Sequence, residues 1–225
     1  MFFVDMAQTC APLVSPVTLA AIVKTESDFN PFAVSINAKP KSKVFKIPQP
    51  KSETEAIHIA NSLINAGFSI DMGLGQINSK NLPRLGLTVE NMFNPCVNLK
   101  AAETILQTSY SSYLPKSKSS LEAIYKTLSA YNTGSPSKGL KNGYVKRVIS
   151  NSKADINTHI QVPSLDSKNE STPAVVEAVN SATSQIQVIQ SQGQIKKPEE
   201  SGIMVYESEL SSTVKSQDKI ATLVY

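Results

Sequence analysis

The chain has 225 residues, of which 18% are charged, with a formal net charge of +4. This length suits one domain with a substantial core plus an appendage, or two small domains. No stretch approaches the roughly 20 apolar residues that a membrane-spanning helix requires, so we expect no membrane span. The opening "MFFVDMAQTC" is apolar but short, lacks a basic region and contains Asp5, which makes it a poor secretory signal as written. An upstream start, another export route and an internal location all stay open.

The charge is shared unevenly along the chain. Residues 1–150 hold 16 Lys/Arg against 9 Asp/Glu, a net of +7, whereas residues 151–225 hold 6 against 9, a net of −3. A basic first part suits an anionic polymer such as nucleic acid or cell wall, and equally an ordinary soluble surface. Because no dense Lys/Arg block alternates with aromatic residues, nucleic acid is not an expected partner.

The cysteine and histidine content argues against a metal centre. The chain has two cysteines, Cys10 and Cys96, and two histidines, His58 and His159. None of them stands at metal-ligand spacing, so we expect no metal and no cofactor. The cysteines are either two buried thiols or one disulfide, which would need an oxidising compartment.

One helix carries a carboxylate on its apolar face. In "SPVTLAAIVKTE", Ser15 is a good N-cap and Pro16 suits the first helical position. Glu26 follows Leu19, Ile22 and Val23 at helical spacing. This pattern predicts either a buried acid or a helix end that frays and lets the carboxylate reach water.

The remaining capping, glycine and proline residues predict a mainly helical α+β domain. Helices are expected at 52–67, where Ser52 and Glu55 form a capping box, and at 94–114, 120–134 and 142–151. A Lys- and Pro-rich segment, 36–51, is typical of a surface loop or edge hairpin, and 68–82 alternates briefly in the manner of strands.

The composition changes near residue 155. Beyond it the chain is rich in Ser and Gln and lacks phenylalanine, which is typical of disorder or loosely formed short helices. We therefore predict a domain over 1–150 and a low-complexity tail over 151–225 that is disordered or docks on partners.

Four ordered motifs then resemble one family. They are "ESDFNP" at 26–31, "MGLGQIN" at 72–78, "NPCVNLKAAETIL" at 94–106 and "SAYNTG" at 129–134. In this order and spacing they resemble the goose-type lysozyme and soluble lytic transglycosylase superfamily, and within it the transglycosylase component of bacterial type IV secretion systems. The resemblance covers about residues 7–150 and implies a lysozyme-like fold.

The resemblance also implies a site. Glu26 matches the single catalytic acid of the family, and burial against Leu19, Ile22 and Val23 would keep its proton near neutral pH. Asp28 and Asp71 match no second acid. The implied substrate-binding residues are Ser27, Gln76, Asn78, Tyr131 and Asn132.

Two further points follow from the same resemblance. Many members have Met before the Gln where this chain has Gly75, so we expect the cleft to lose an apolar wall there. Cys10 and Cys96 match a disulfide that joins the first helix to the Asn-Pro helix.

The implied activity is cleavage of the β-1,4 bond between N-acetylmuramic acid and N-acetylglucosamine in peptidoglycan, with 1,6-anhydro ring formation. Its setting would be the periplasm, where the cell wall is opened locally for assembly of a secretion apparatus and the tail contacts other secretion components. The alternatives are a hydrolytic lysozyme, a non-catalytic wall-binding assembly protein and, more weakly, a basic polymer-binding module.

Overall fold

The computed structural model describes residues 2–37 and 47–153. The predicted tail, apart from its first residues, and most of the predicted 36–51 loop or hairpin lie outside these residues. Eight α-helices occur in the described part, and their bounds are α1 Phe3–Cys10, α2 Pro16–Ser27, α3 Glu53–Asn65, α4 Leu82–Leu85, α5 Pro95–Tyr113, α6 Ser120–Thr133, α7 Lys138–Lys141 and α8 Tyr144–Ser152.

The signals read from the sequence do set the helix ends. The side chains of Ser52 and Asn94 accept hydrogen bonds from the amides of Glu55 and Val97, which caps α3 and α5. Gly134 ends α6 in the left-handed region at φ 66°, a conformation that favours glycine. The five helices predicted from the sequence are therefore confirmed, with shifts of one or two residues at their ends.

A small antiparallel sheet completes the fold. Its order is β1 (Val34–Ile36), β2 (Ile70–Met72) and β3 (Ile77–Asn78). In this register Ser35 lies opposite Asp71, and Asp71 lies opposite Asn78. Cross-strand partners share a face, so these three polar residues form one row while Val34, Met72 and Ile77 enter the core on the other. The predicted α+β architecture, mainly helical with a small β insertion, is confirmed.

The segment 3–10 forms a helix, α1, whose bounds the sequence patterns did not predict. Phe3, Met6 and Ala7 of α1 are buried in the core. Cys10 at its end is joined to Cys96 in the first turn of α5 by a disulfide with a Cα–Cα distance of 5.1 Å. The disulfide expected from the resemblance is therefore present, and it fixes α1 against α5.

The helix that carries Glu26 is packed on two sides. α2 contacts α1 and, most extensively, α8. Leu19, Ile22 and Val23 are each fully buried, which confirms the predicted apolar stripe. Within residues 2–37 and 47–153, no helix has the length and apolar character needed to cross a bilayer.

Candidate active site

Glu26 lies in the last turn of α2, beside an open cleft. The helix stops immediately afterwards because Asp28 and Phe29 adopt positive φ values of 52° and 62°. The cleft has a volume of about 360 Å³, and its walls include Glu26, Ser27, Ser35 and Gln76. The half-buried carboxylate therefore neither frays into bulk water nor disappears into the core.

A tyrosine from α8 forms a hydrogen bond to the acid. Tyr144 is buried at the start of α8, and its hydroxyl donates a hydrogen bond to Glu26 Oε1 at 2.6 Å. The guanidinium of Arg147 lies 5.9 Å from the centre of the Tyr144 ring. The extensive packing of α2 on α8 thus fixes one oxygen of the acid from a residue far away in the sequence.

Burial makes Glu26 a weak acid. Loss of hydration raises its pKa from 4.5 to about 7, and the negative charge of Asp71 acts in the same direction. The hydrogen bond from Tyr144 and the charge of Arg147 lower the pKa, but they do not offset the effect of burial. Near neutral pH the carboxyl group is therefore poised to give and to take a proton.

The turn between β2 and β3 is tied to both sides of the site. Ser27 Oγ donates to the carbonyl oxygen of Leu74 at 2.8 Å, and the Tyr131 hydroxyl donates to that of Gly75 at 2.7 Å. Asn98 accepts from the Gly75 amide at 2.7 Å and donates to the carbonyls of Met72 and Met92. These bonds connect α2, α5 and α6 to the turn.

Gln76 is positioned by the turn itself. It adopts φ 48°, an uncommon conformation for a non-glycine residue. Its Nε2 donates to the carbonyl oxygens of Ala33 and Gly73 at 3.2 and 3.0 Å, and Ser35 Oγ donates to its Oε1. The predicted substrate-binding amide therefore lies in the cleft wall with both of its polar ends already hydrogen-bonded.

The side chain of Asn78 caps a 3-10 helix and also hydrogen-bonds to two other side chains. Its Oδ1 accepts from the Lys80 amide at 3.0 Å and so caps a short 3-10 helix, and it also accepts from Ser69 Oγ. Its Nδ2 donates to Asp71 Oδ1 at 2.6 Å. Asp71, which matches no acid of the family, is thus hydrogen-bonded to Asn78, which lies in a matched motif.

Asn132 lies at the exposed end of α6, away from the contacts just described. Its Oδ1 accepts from Asn142 Nδ2 at 3.0 Å. The preceding Tyr131 contacts the β2–β3 turn. The two side chains of the Tyr-Asn motif therefore contact different places, the turn and the segment between α7 and α8.

The expectation that Gly75 removes an apolar wall from the cleft is wrong in this structure. A Cβ at residue 75 would lie 2.9 Å from the Tyr131 hydroxyl and 3.2 Å from both Ala102 Cβ and Asn98 Oδ1. The side-chain direction at residue 75 therefore points into packed residues and not into the cleft. Glycine here lets Tyr131 and Asn98 approach the turn backbone.

Sequence reasoning did not identify Tyr144, Asp71 and Asn98 as site residues. In the sequence, Tyr144 looks like an ordinary core aromatic at the start of an amphipathic helix. Asn98 lies inside a matched motif but had no assigned role. Asp71 was considered and set aside. The sequence did not show that these side chains lie near Glu26 and near the turn.

Comparison with known proteins agrees with the motifs. The family described as "Transglycosylase SLT domain" matches residues 5–153. The chain is 33% identical over 183 residues to the type IV secretion system protein virB1 of Brucella abortus biovar 1 (strain 9-941). This alignment covers 79% of this chain and 75% of that protein. It is 34% identical over 166 residues to protein virB1 of Rhizobium radiobacter, covering 74% of this chain and 67% of that protein. No solved structure gives a significant match.

Proposed function

Because this chain belongs to the Transglycosylase SLT domain family, we propose that it is a peptidoglycan lytic transglycosylase that uses Glu26 as its acid and base. The family assignment supports transglycosylase activity. The bond that is cleaved, the anhydro product and the use of a single acid and base are our proposal.

The observation that carries this proposal is the environment of Glu26. A carboxyl group in a cleft wall, with a pKa raised to about 7 by burial and one oxygen held by Tyr144, can donate a proton near neutral pH and take one back. A structural carboxylate would instead be expected to pair with a cation or lie in open solvent.

The reaction then proceeds in two proton transfers. Protonated Glu26 donates to the glycosidic oxygen as the bond from that oxygen to C1 of N-acetylmuramic acid breaks, and the N-acetyl group of the sugar stabilises the positive centre. Ionised Glu26 then takes the proton of the C6 hydroxyl while O6 bonds to C1 and closes the 1,6-anhydro ring. The nucleophile belongs to the substrate itself, so proximity replaces an activated water.

The substrate-binding roles are proposals of different strength. Ser27 and Gln76 line the cleft beside the acid, which supports a role in the subsites next to the scissile bond. Tyr131 holds the β2–β3 turn in place. For Asn78 and Asn132 the support is the matched motifs, since their amides bind Asp71 and Asn142 respectively.

The biological setting is inferred from the relatives. Because the Brucella abortus relative is named as a type IV secretion system protein, we propose that this chain opens the periplasmic cell wall locally for such an apparatus. The predicted domain over 1–150 would act on glycan strands, and the tail over 151–225 would contact other components. The disulfide suits an oxidising compartment such as the periplasm.

One observation favours hydrolysis as a second candidate. Asp71 is a second carboxylate close enough to Glu26 for its charge to raise the pKa of that acid, and glycosidases that use water commonly employ two carboxylates. A hydrolytic lysozyme on this fold would release a product heavier by one water.

Mass analysis of fragments released from purified peptidoglycan tests the proposal. Wild type should yield anhydro-muropeptides and Glu26→Gln should yield none, although it should still sediment with peptidoglycan. Hydrated fragments would identify a lysozyme instead. Wall binding by a wild-type chain that releases no fragments would identify a non-catalytic assembly protein.

A further inference from the structure

The exposed side of α7 and α8 carries a concentration of positive charge that the proposed chemistry does not use. Residues 123–153 include six Lys/Arg and no Asp/Glu. Five of these six cations are exposed, and together they form what we call the basic face: Lys138, Lys141, Lys146, Arg147 and Lys153. None of the ion pairs within residues 2–37 and 47–153 includes a residue of this face. Like charges gathered on one surface repel one another, so folding alone does not require this arrangement.

Helix α8 separates its apolar side from its charged side. Tyr144, Val145 and Val148 are buried against the rest of the domain. Lys146 and Lys153 are exposed and stand seven positions apart, a spacing that places two residues on the same side of a helix. The cations of α8 therefore face solvent as a group.

The same helix is bound to the wall of the cleft that contains the acid. Near its start, the Tyr144 hydroxyl donates to Glu26 Oε1 at 2.6 Å. Near its end, Asn151 Nδ2 donates to Thr25 Oγ1 at 2.9 Å. Thr25 and Glu26 both line the cleft. Because both ends of α8 are hydrogen-bonded to this wall, the basic face flanks the cleft on its α2 side.

Arg147 connects the basic face to the proposed site. Its guanidinium lies 5.9 Å from the centre of the Tyr144 ring, and its Nη1 donates to the carbonyl oxygen of Asn142 at 3.4 Å. The side chain of Asn142 in turn donates to Asn132, a predicted substrate-binding residue. The positive charge therefore extends to residues that border the site.

Peptidoglycan presents anionic groups close to the bond that we propose is cleaved. In intact peptidoglycan, N-acetylmuramic acid bears a short stem peptide on its lactyl group, and stem peptides combine alanine methyl groups with free carboxylates. The basic face offers charged donors for carboxylates. Leu140, which is 47% exposed between Lys138 and Lys141 on α7, offers an apolar contact for the methyl groups.

Nucleic acid fits this face less well than a peptide does. Proteins that bind single-stranded nucleic acid combine cations with exposed aromatic rings on which the bases stack. The aromatic residue within 138–153 is Tyr144, and it is buried. The basic face therefore lacks a stacking surface, which favours a carboxylate-bearing peptide as its ligand.

We propose that the basic face binds the carboxylates of stem peptides, so that the protein prefers peptide-bearing glycan strands over naked ones. This inference rests on the proposed function and deepens it, because it names the form of the substrate that the same site accepts. The face contributes affinity and takes no part in the proton transfers at Glu26. Exposed charge pairs are individually weak and are screened by salt, so several cations act together and the preference should decline as ionic strength rises.

The test compares soluble, un-cross-linked peptidoglycan strands with the same strands stripped of stem peptides by an amidase. Calorimetric titration uses Glu26→Gln in the full chain, so that the strands are not consumed. We expect this parent protein to bind peptide-bearing strands roughly tenfold more tightly at low salt, and we expect the added changes Lys146→Gln and Lys153→Gln to reduce that preference to roughly threefold or less. Adding Lys116→Gln and Lys118→Gln instead removes two exposed lysines outside the basic face. This matched control should keep the full preference.

A salt titration of the parent protein checks the inference without any lysine variant, since the preference should approach unity between about 50 mM and about 0.5 M salt. Equal affinity for the two kinds of strand at low salt, or equal losses in the lysine variant and its control, overturns the inference. Tighter binding of a single-stranded oligonucleotide than of peptide-bearing strands assigns the face to nucleic acid and also overturns it. If wild type cleaves neither kind of strand while the preference persists, the proposed function fails and the binding role of the basic face stands.

Discussion

The Tyr144 hydroxyl donates a 2.6 Å hydrogen bond to Glu26 Oε1 across 118 positions of the chain. Tyr144 is buried and the acid is half-buried, so the bond forms where water competes little. It ties the end of α2 to the start of α8, and it stabilises the ionised form of the acid. The orientation and the acidity of Glu26 therefore depend on the same contact.

Tyr144→Phe should shift the pH profile of activity to higher pH. Loss of the hydrogen bond that lowers the pKa of Glu26 should raise that pKa, so the basic limb of activity shifts to higher pH. We expect kcat to fall by about tenfold because the carboxyl loses its fixed orientation. Rates of fragment release between pH 5 and 9 measure both effects.

Tyr125→Phe is the control for this change, since Tyr125 is a partly buried tyrosine on α6. A Tyr144→Phe profile that coincides with wild type would show that the hydroxyl neither tunes nor orients the acid.

Glu26→Gln should make the protein more stable at neutral pH. The folded-state pKa of Glu26, about 7, lies above the ordinary value of 4.5, so the folded protein binds this proton more tightly than the unfolded chain. The stabilisation by that proton is complete below pH 4.5 and is lost as pH rises through about 7. The amide avoids this loss, so at pH 7.5 we expect a gain of roughly 2–3 kcal/mol in the free energy of unfolding.

Urea unfolding of the two proteins at pH 4.5 and pH 7.5 provides the measurement. The difference between them should be small at the lower pH and should favour the glutamine variant at the higher pH. Equal stabilities at both values would contradict a buried, weakly acidic Glu26.

Gly75→Ala should destabilise the domain through Tyr131. The added Cβ would lie 2.9 Å from the Tyr131 hydroxyl, which would force that side chain away and break its bond to the Gly75 carbonyl. We expect a loss of about 1–3 kcal/mol in the free energy of unfolding.

A double-mutant cycle with Tyr131→Phe isolates this contact. Removing the hydroxyl makes room for the methyl group, so the alanine substitution should cost less in the Phe background than in wild type. Additive effects would mean that the clash lies with Ala102 or Asn98 instead. Thermal unfolding of the four proteins gives the comparison.

Replacing Cys10 and Cys96 by alanine should lower stability without abolishing activity at low temperature. The disulfide closes a span of 86 residues, for which the chain-entropy model gives about 4–5 kcal/mol. The bridge joins α1 to α5 and contacts none of the proposed reacting groups. Unfolding by urea with and without reductant measures the effect, and wild type that is insensitive to reductant would contradict it.

The helices were predictable because their signals are local. Caps such as Ser52 and Asn94, the stop at Gly134 and the stripe ending at Glu26 all lie within a few residues of the structure that they determine. The bounds of α1 were not predicted because eight residues offer few turns for a periodic pattern, and its burial depends on partners such as α5.

For the site as well, features that depend on consecutive residues were predictable, whereas features that depend on distant residues were not. The motif pattern predicted Glu26 as the acid and a turn within 72–78, because each motif consists of consecutive residues. The structure shows the turn between β2 and β3, and the role of Glu26 stays a proposal. It gave Gly75 the wrong surroundings, since the direction of a Cβ in a turn depends on the neighbouring helices.

The sequence by itself determined the helical framework and the family, and it predicted Glu26 as the acid. Only the tertiary structure decided how that acid behaves, because its pKa depends on burial, on the Tyr144 hydroxyl and on the charge of Asp71. These groups come from α8 and β2, far from residue 26 in the chain. Electrostatic interactions act through space and strengthen where water is excluded. A local sequence pattern can therefore identify a carboxylate but cannot determine its protonation state.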